Sequence, residues 1–205
     1  MRIVTFMGNA TYIKEVAVKN KLTDVYIDMS YVYNLKENIF SFSQPSYVES
    51  LKNELTSLGI NVVVTDTEAP CTCTDAEMYV RRYRIAKMIY QITDEICDDI
   101  LFVDSDVILN DDVFNKITSD EPIAICIPAL MKPINSVVFD FCYSTNMYIP
   151  RNYVSKLRHA VKRYIDNRWQ AIHPVDIYIH NALGTRKTLY VKGVCHYING
   201  KLYCL

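Results

Sequence analysis

The stretch Asp99-Asp-Ile-Leu-Phe-Val-Asp-Ser-Asp-Val-Ile-Leu-Asn-Asp-Asp112 holds the residues best suited to chemistry. Asp104 and Asp106 interrupt an apolar run and have apolar residues on both sides. On an extended backbone side chains alternate, so the two carboxylates are expected on one side of the chain, with Ser105 facing away. Adjacent carboxylates repel, and a buried one is costly unless something positive compensates it. Hard oxygen ligands suit Mg²⁺ or Mn²⁺, with water and substrate phosphates completing the shell. The plainer reading is a strand that ends in an acidic, solvated turn. It fits Asp111 and Asp112, which suit the start of a short helix, and fits Asp104 and Asp106 badly.

A chain of 205 residues, 50% hydrophobic, is long enough for one domain with a sizeable core. Its net charge of -1 leaves no basic footprint for nucleic acid and no polybasic membrane anchor. No apolar run is long enough to be a transmembrane segment, and no basic-then-apolar signal opens the chain. The expectation is a soluble, cytoplasmic protein. Seven cysteines leave at least one unpaired. Cys71 and Cys73 are too close for a Cys-x-x-Cys pair, and Cys97, Cys126 and Cys142 read as small buried residues.

Around the acidic stretch, strand and helix signals alternate. Strands are expected at 2–7, 24–29, 61–65, 100–103 and 122–130, with one or two more in 137–149. Helices are expected at 11–20, from Ser46 to a stop at Gly59, beyond Thr74, near 112–117, at 152–167 and from Pro174; residues 31–45 read as loop. Ser46-Tyr-Val-Glu49 and Thr74-Asp-Ala-Glu77 match capping boxes. Ile85, Ile89, Ile92 and Ile96 form an apolar stripe at helical spacing. In the tail, Asn199-Gly200 between β-rich runs is a hairpin signal that pairs Ile198 with Lys201, His196 with Tyr203 and Cys195 with Cys204. That register brings the two thiols within disulfide reach; a reducing cytosol argues against oxidation, with hyperthermophiles an exception. Repeated strand–helix units imply an α/β fold, a mostly parallel central sheet flanked by helices with a C-terminal β-hairpin. Ligands in such sheets bind beyond the carboxyl ends of the strands, where Asp104 and Asp106 would lie.

Phe102-Val-Asp-Ser-Asp-Val-Ile-Leu109 resembles the Asp-x-Asp segment of nucleotide-sugar-dependent glycosyltransferases with the GT-A fold, above all the glycogenin and galactosyltransferase-like group. Thr5, Asn9 and Tyr12 stand where that group has its first strand, the loop after it and a tyrosine that meets the nucleobase. Tyr83-Arg84 precedes Asp104 by twenty residues, as a similar pair does in the family. Ser144-Thr-Asn-Met147 is similar to the family's sugar- and acceptor-floor strand, and Asp176 to an acidic residue opening a later helix. His196-Tyr-Ile-Asn-Gly-Lys201 is similar to the family's late His-Phe/Tyr-x-Gly segment, whose histidine is a third metal ligand. Here the glycine comes one position late, the usual Lys-Pro-Trp is missing, and the early loop Gly8-Asn9-Ala10 has no acid. The resemblance implies a single GT-A (Rossmann-like) domain over 1–205, with a nucleotide-binding half (1–110) and an acceptor-side half (111–205).

The chemistry so implied moves a sugar from a nucleoside-diphosphate sugar to a hydroxyl of a glycan or protein acceptor. Asp106 is expected to ligate Mn²⁺ or Mg²⁺ directly, and Asp104 to ligate through water or to contact the ribose. His196 either completes the metal shell or is a hairpin residue with no special role. Lys201 would reach the diphosphate; Thr5, Asn9, Ser105 and Asn146 would line the donor site. Arg84 contacts Asp104 or the donor, or is an exposed helix cation, and Tyr12 stacks on the base or is a core tyrosine. Asp176 is the candidate base of an inverting transferase, although Asp also suits the first turn of any helix. A retaining enzyme would need no such base. His159, His173 and His180 read as structural or exposed. Two other classes compete. A sugar-nucleotidyltransferase normally has a glycine-rich basic loop, which Met7-Gly-Asn-Ala-Thr11 is not. A catalytically inactive binding protein of the same fold would show no metal dependence.

Overall fold

The computed structural model describes residues 1–29, 32–37, 39, 45–66, 76–117, 119–131, 136–140, 145–167, 174–189 and 192–204. The first half runs β1 (Arg2–Met7), α1 (Ile13–Lys19), β2 (Asp24–Asp28), α2 (Pro45–Ser57), β3 (Asn61–Thr65), α3 (Ala76–Glu95) and β4 (Ile100–Phe102). Next come β5 (Val107–Leu109), α4 (Asp111–Lys116), β6 (Ile123–Ile125), β7 (Ile127–Met131), β8 (Ser136–Asp140) and β9 (Met147–Ile149). The chain continues with α5 (Arg151–Asp166), α6 (Val175–Leu183), β10 (Lys187–Leu189), β11 (Val194–Ile198) and β12 (Lys201–Cys204).

Seven strands form the central sheet in the order β10-β6-β9-β4-β1-β2-β3, and only β9 runs against the rest. This is the mostly parallel α/β sheet expected from the strand–helix alternation, with helices on both faces. Alternation along the strands divides the core. On β2, Tyr26 joins a cluster with Ile89 and Ile92 of α3 and Leu157 of α5, while Val25 and Ile27 pack with Ile13 of α1 and Leu51 and Leu55 of α2. On β4, Ile100 and Phe102 face α3 while Leu101 turns to Ile123 and Tyr148. Each such side chain is fully buried or nearly so, which stabilises by about 1.5–3 kcal/mol per residue. Of the isoleucine stripe, Ile89, Ile92 and Ile96 are buried and Ile85 is partly buried against the same cluster, with Ile96 one residue beyond the end of α3.

Two smaller sheets complete the fold: β12-β11-β5 and β7-β8, both antiparallel. The hairpin has the expected register, Ile198 opposite Lys201 and Cys195 opposite Cys204, around Asn199 and Gly200, both at positive φ. Among the described residues no helix is long and apolar enough to cross a membrane.

Several expectations need correction. Cys195 and Cys204 form a disulfide, so the hairpin is covalently closed. Helix α2 begins at Pro45, so Ser46 lies inside its first turn and does not cap it; proline suits that first position because its missing N–H costs nothing there. The helix does stop at Gly59, whose φ of +80 allows Ile60 N–H to bond back to Leu55 O. The single strand expected over 122–130 is two, β6 and β7, which join different sheets on either side of buried Cys126. Cys97 is exposed, because it follows the last turn of α3. The capping box at Thr74, and Cys71, Cys73, Cys142 and His173, lie outside the described residues.

One buried charge makes acid stability predictable. Asp24 at the start of β2 is 1% exposed and accepts hydrogen bonds from the Arg2 guanidinium, the Thr23 hydroxyl and the Asn61 amide. Burial pushes its carboxyl up, but those donors and the charge of Arg2 outweigh burial and hold it below the usual value. A carboxyl depressed by folding stabilises above its unfolded value, about pH 4, and that contribution is lost as pH falls through the folded value. Stability of the wild type should therefore fall below about pH 4. Asp24→Asn should flatten that limb and lower neutral-pH stability by about 2 kcal/mol. Urea melts from pH 3 to pH 7 check both; equal pH slopes in the two proteins would refute the assignment.

Candidate functional site

Strand β4 ends at Phe102, and Asp104 follows at the carboxyl edge of the central sheet, beside β1, where the strand order reverses. Residues 104–107 are not extended. Val107 N–H donates to Asp104 O at 3.1 Å, closing a turn, and β5 then joins the three-stranded sheet. The expected alternation of Asp104 and Asp106 about an extended strand is thus replaced by a turn that carries both acids. Ser105, between them, is buried.

Asp104 is held by the two residues just before β9. Its backbone N–H donates to Asn146 Oδ1 at 2.8 Å, and Asn146 Nδ2 donates to Asp104 Oδ2 at 2.7 Å. The Thr145 hydroxyl donates to the other carboxylate oxygen. Asn146 is wholly buried, so its amide orients Asp104 and faces no open cleft. Burial pushes the Asp104 carboxyl up, and the charge of Asp106 pushes it further; Thr145, His196 and Asn146 oppose the rise without cancelling it.

Asp106 meets the hairpin. Its backbone O accepts from Tyr197 N–H at 2.9 Å, and its Oδ1 lies 3.5 Å from His196 Nε2. His196 Nδ1 lies 2.6 Å from Pro128 O. A carbonyl only accepts, so Nδ1 carries the hydrogen and Nε2 turns towards Asp106 with its lone pair when the ring is neutral. Burial lowers the His196 value, but the hydrogen bond and charge of Asp106 outweigh it and hold the ring above its ordinary value.

Among the described residues no three His, Cys, Asp or Glu side chains gather as a metal cage. The donor set instead fits an open site. Asp106 offers an oxygen, His196 offers Nε2, and a backbone carbonyl fixes the far side of the imidazole, the usual support of a metal-bound histidine. A magnesium-type ion bound with a nucleotide commonly takes only one or two protein ligands and fills its shell with water and phosphate.

The other candidates are placed as follows. Tyr12, just before α1, stacks on Tyr197 with centroids 3.8 Å apart, and Lys36 Nζ lies 4.4 Å from its centroid. A parallel ring at that distance leaves no room for an ammonium on the same face, so both faces of Tyr12 are covered by protein. The Tyr197 hydroxyl donates to Glu15 at 2.7 Å. Lys201 is exposed and follows Gly200, where an added Cβ would lie 3.9 Å from the Tyr12 hydroxyl. Asn9 Oδ1 accepts from Thr11 N–H and shapes the loop after β1. Thr5 is wholly buried within β1, and its hydroxyl has no hydrogen-bond partner among the described residues.

Arg84 is neither exposed nor shown against Asp104: its side chain is 12% exposed, with Nε 3.9 Å from the buried Asp28. Asp176 opens α6 and accepts from Ile177 N–H; burial holds its carboxyl above the ordinary value against the nearby charges of His180 and Arg82. Of the other histidines, His159 is exposed and His180 is half-buried on α6.

The structure thus gathers Asp104, Ser105, Asp106, Asn146 and His196, with Tyr12 and Lys201 beside the hairpin tip. Thr145 and Tyr197 lie in two of the segments that resemble the family but have no role of their own in the sequence reading, and Pro128 O and Asp28 escaped it. Asp28 carried a local signal, an acid ending the apolar run of β2.

An acid–imidazole pair thus lies where a mostly parallel α/β sheet meets a cross-linked hairpin. The chain belongs to the same family as uncharacterized protein ORF238 of Acidianus filamentous virus 2, with 36% identity over 238 aligned positions, 100% of this chain and 99% of that one. Uncharacterized protein ORF208 of the same virus and uncharacterized protein 209 of Sulfolobus islandicus rod-shaped virus 1 are each 25% identical over 97% of this chain and 81% of their own length. No family model matches the chain. Similar solved structures include the apo form of the glycosyltransferase GlyE of Streptococcus pneumoniae TIGR4, at 15% identity and a TM-score of 0.47 over 92% of this chain. The chain spans 45% of the length of GlyE. A glycosyltransferase involved in the glycosylation of the major capsid of PBCV-1 is 14% identical, with a TM-score of 0.43 over 92% of this chain and 80% of its own.

Proposed function

We propose that the protein is a metal-dependent glycosyltransferase of the GT-A type that moves a sugar from a nucleoside-diphosphate sugar to a hydroxyl of a glycan or protein. The observation that carries this reading is Asp106 facing His196 Nε2, next to Asp104 pinned by Asn146, at the carboxyl edge of the sheet. Asp106 and His196 would hold Mn²⁺ or Mg²⁺, which when bound supplies positive charge against the diphosphate as it departs. Asp104, with both oxygens already engaged, keeps a fixed orientation for water or a ribose hydroxyl. Lys201 brings a further cation to the diphosphate from the hairpin. A base entering beside Tyr12 must displace Lys36 or Tyr197.

Asp176 is the proton acceptor in this proposal. A carboxyl held above its ordinary value by burial is a stronger base than an exposed one. Asp176→Asn should cut sugar transfer by about 10²–10⁴-fold while leaving the donor-induced thermal shift intact. Normal transfer by this variant would remove Asp176 from the role.

The test of the whole reading is a panel of nucleotide sugars with Mn²⁺, followed by donor hydrolysis and thermal shift. A donor should be cleaved and should raise the melting temperature only with metal. If no donor is cleaved and none stabilises the fold, the reading fails and an inactive binding protein replaces it.

A further inference from the structure

Asn20 is wholly buried at the end of α1, far in sequence from the acidic turn, yet it is bonded to the strand leaving that turn. Its Nδ2 donates to Val107 O at 2.8 Å, and its Oδ1 accepts from Leu109 N–H at 2.8 Å. The other edge of β5 belongs to β11. Tyr197 N–H donates to Asp106 O, Asn110 N–H donates to Gly193 O, and Cys195 sits opposite Ile108. Backbone groups of residues 106 and 110 therefore point to the hairpin, and those of 107 and 109 point to Asn20. One carboxamide does the work of a neighbouring strand, offering a donor and an acceptor at the spacing a ladder would.

We infer that Asn20 is a positioning residue of the cation site, its amide locking β5 so that Asp106 is held opposite His196. The inference rests on the metal reading above. Val107, the residue after Asp106, has its N–H tied to Asp104 O and its C=O tied to Asn20. Without the Asn20 amide, Val107 C=O and Leu109 N–H are buried without partners, and the turn can rotate to seek others. The displacement falls on Asp106, one residue away. Supporting groups behind a metal ligand change metal affinity by about 10–100-fold when removed.

The experiment uses the full chain and Mn²⁺ alone, with free Mn²⁺ read by electron paramagnetic resonance and folding by circular dichroism. Asn20→Ala removes both bonds. Asn20→Asp keeps the shape and the acceptor for Leu109 but loses the donor to Val107, which separates packing from bonding and serves if the alanine variant does not fold. Leu157→Ala, in the fully buried face of α5, is the control for general destabilisation. The expected result is Mn²⁺ binding weakened by about 10-fold or more in the folded Asn20 variants and unchanged in Leu157→Ala. Wild-type affinity in Asn20→Asp, or equal weakening in Leu157→Ala, overturns the positioning role while leaving the metal reading in place. No Mn²⁺ binding by the wild type overturns the metal reading and this inference together.

Discussion

Asp106→Ala should abolish the response to Mn²⁺ while leaving the unliganded protein as stable as the wild type. The carboxylate lies 3.5 Å from His196 Nε2 and beside the pinned Asp104. Its loss removes the oxygen ligand and leaves a single imidazole, too weak a hold for a hard cation. A cation contributes several kcal/mol of charge stabilisation to a departing diphosphate, so donor cleavage should fall by roughly 10³-fold. In the empty protein two changes of opposite sign meet. The charge of Asp106 pushes the Asp104 carboxyl up, a like-charge repulsion that the substitution relieves. The ion pair with His196 is lost at the same time, so the two changes offset. Melting temperatures with and without Mn²⁺, together with donor hydrolysis, separate these effects. A variant that keeps its Mn²⁺-dependent shift would show that the cation is held elsewhere.

Gly193→Ala should be the most damaging substitution outside the core. Gly193 has φ +97, and a Cβ built there falls inside the carboxamide of Asn110. That carboxamide caps α4 by accepting from Val113 N–H, and Asn110 N–H donates to Gly193 O at 2.9 Å. Alanine must therefore adopt a left-handed backbone at a cost of about 1–2 kcal/mol. It also expels the cap, worth about 1 kcal/mol, and opens the seam between β5 and β11. The sum is about 3 kcal/mol, or roughly 6–12 °C in melting temperature for a chain of this size. Gly59→Ala is the comparison: φ is +80 but nothing lies within 4 Å of the added Cβ, so only the backbone term applies. Equal losses in the two variants would show that the Asn110 side chain yields freely.

The parts of the fold that follow a period were legible in the sequence. The isoleucine stripe of α3, the apolar β4 and the hairpin register were set by spacings of three and four, by an unbroken run and by Asn199-Gly200. The division at Cys126 was not legible, because residues on both sides are apolar and a change of sheet leaves no period to read. Nor was the turn at Asp104: Asp-Ser-Asp suits an extended strand and a turn equally well, and tertiary bonds to Asn146 and Tyr197 decide between them. Arg84 read as a contact of Asp104 or the donor, or as an exposed helix cation, because its neighbour Asp28 is fifty-six positions away. Cys97 misled because the sequence shows Ile96 beside it but not the end of the helix. His196 and Asp106 could be paired only through family resemblance; local physics carried each no further than a hairpin residue and an acid.

The two acids are tied to different sheets. Asn146 fastens Asp104 to the seven-stranded sheet, whereas Tyr197 and His196 fasten Asp106 to the sheet that carries the hairpin. Ser105 is the only residue between them, so the gap between the carboxylates gauges how the sheets sit against each other. A cation held by Asp106 and His196 that reached Asp104 through water would add one more link between the sheets, beside the Asn20 bonds and the core they share. By reciprocity, any change that tilts the hairpin sheet, however far from the acids, retunes cation affinity without touching a ligand.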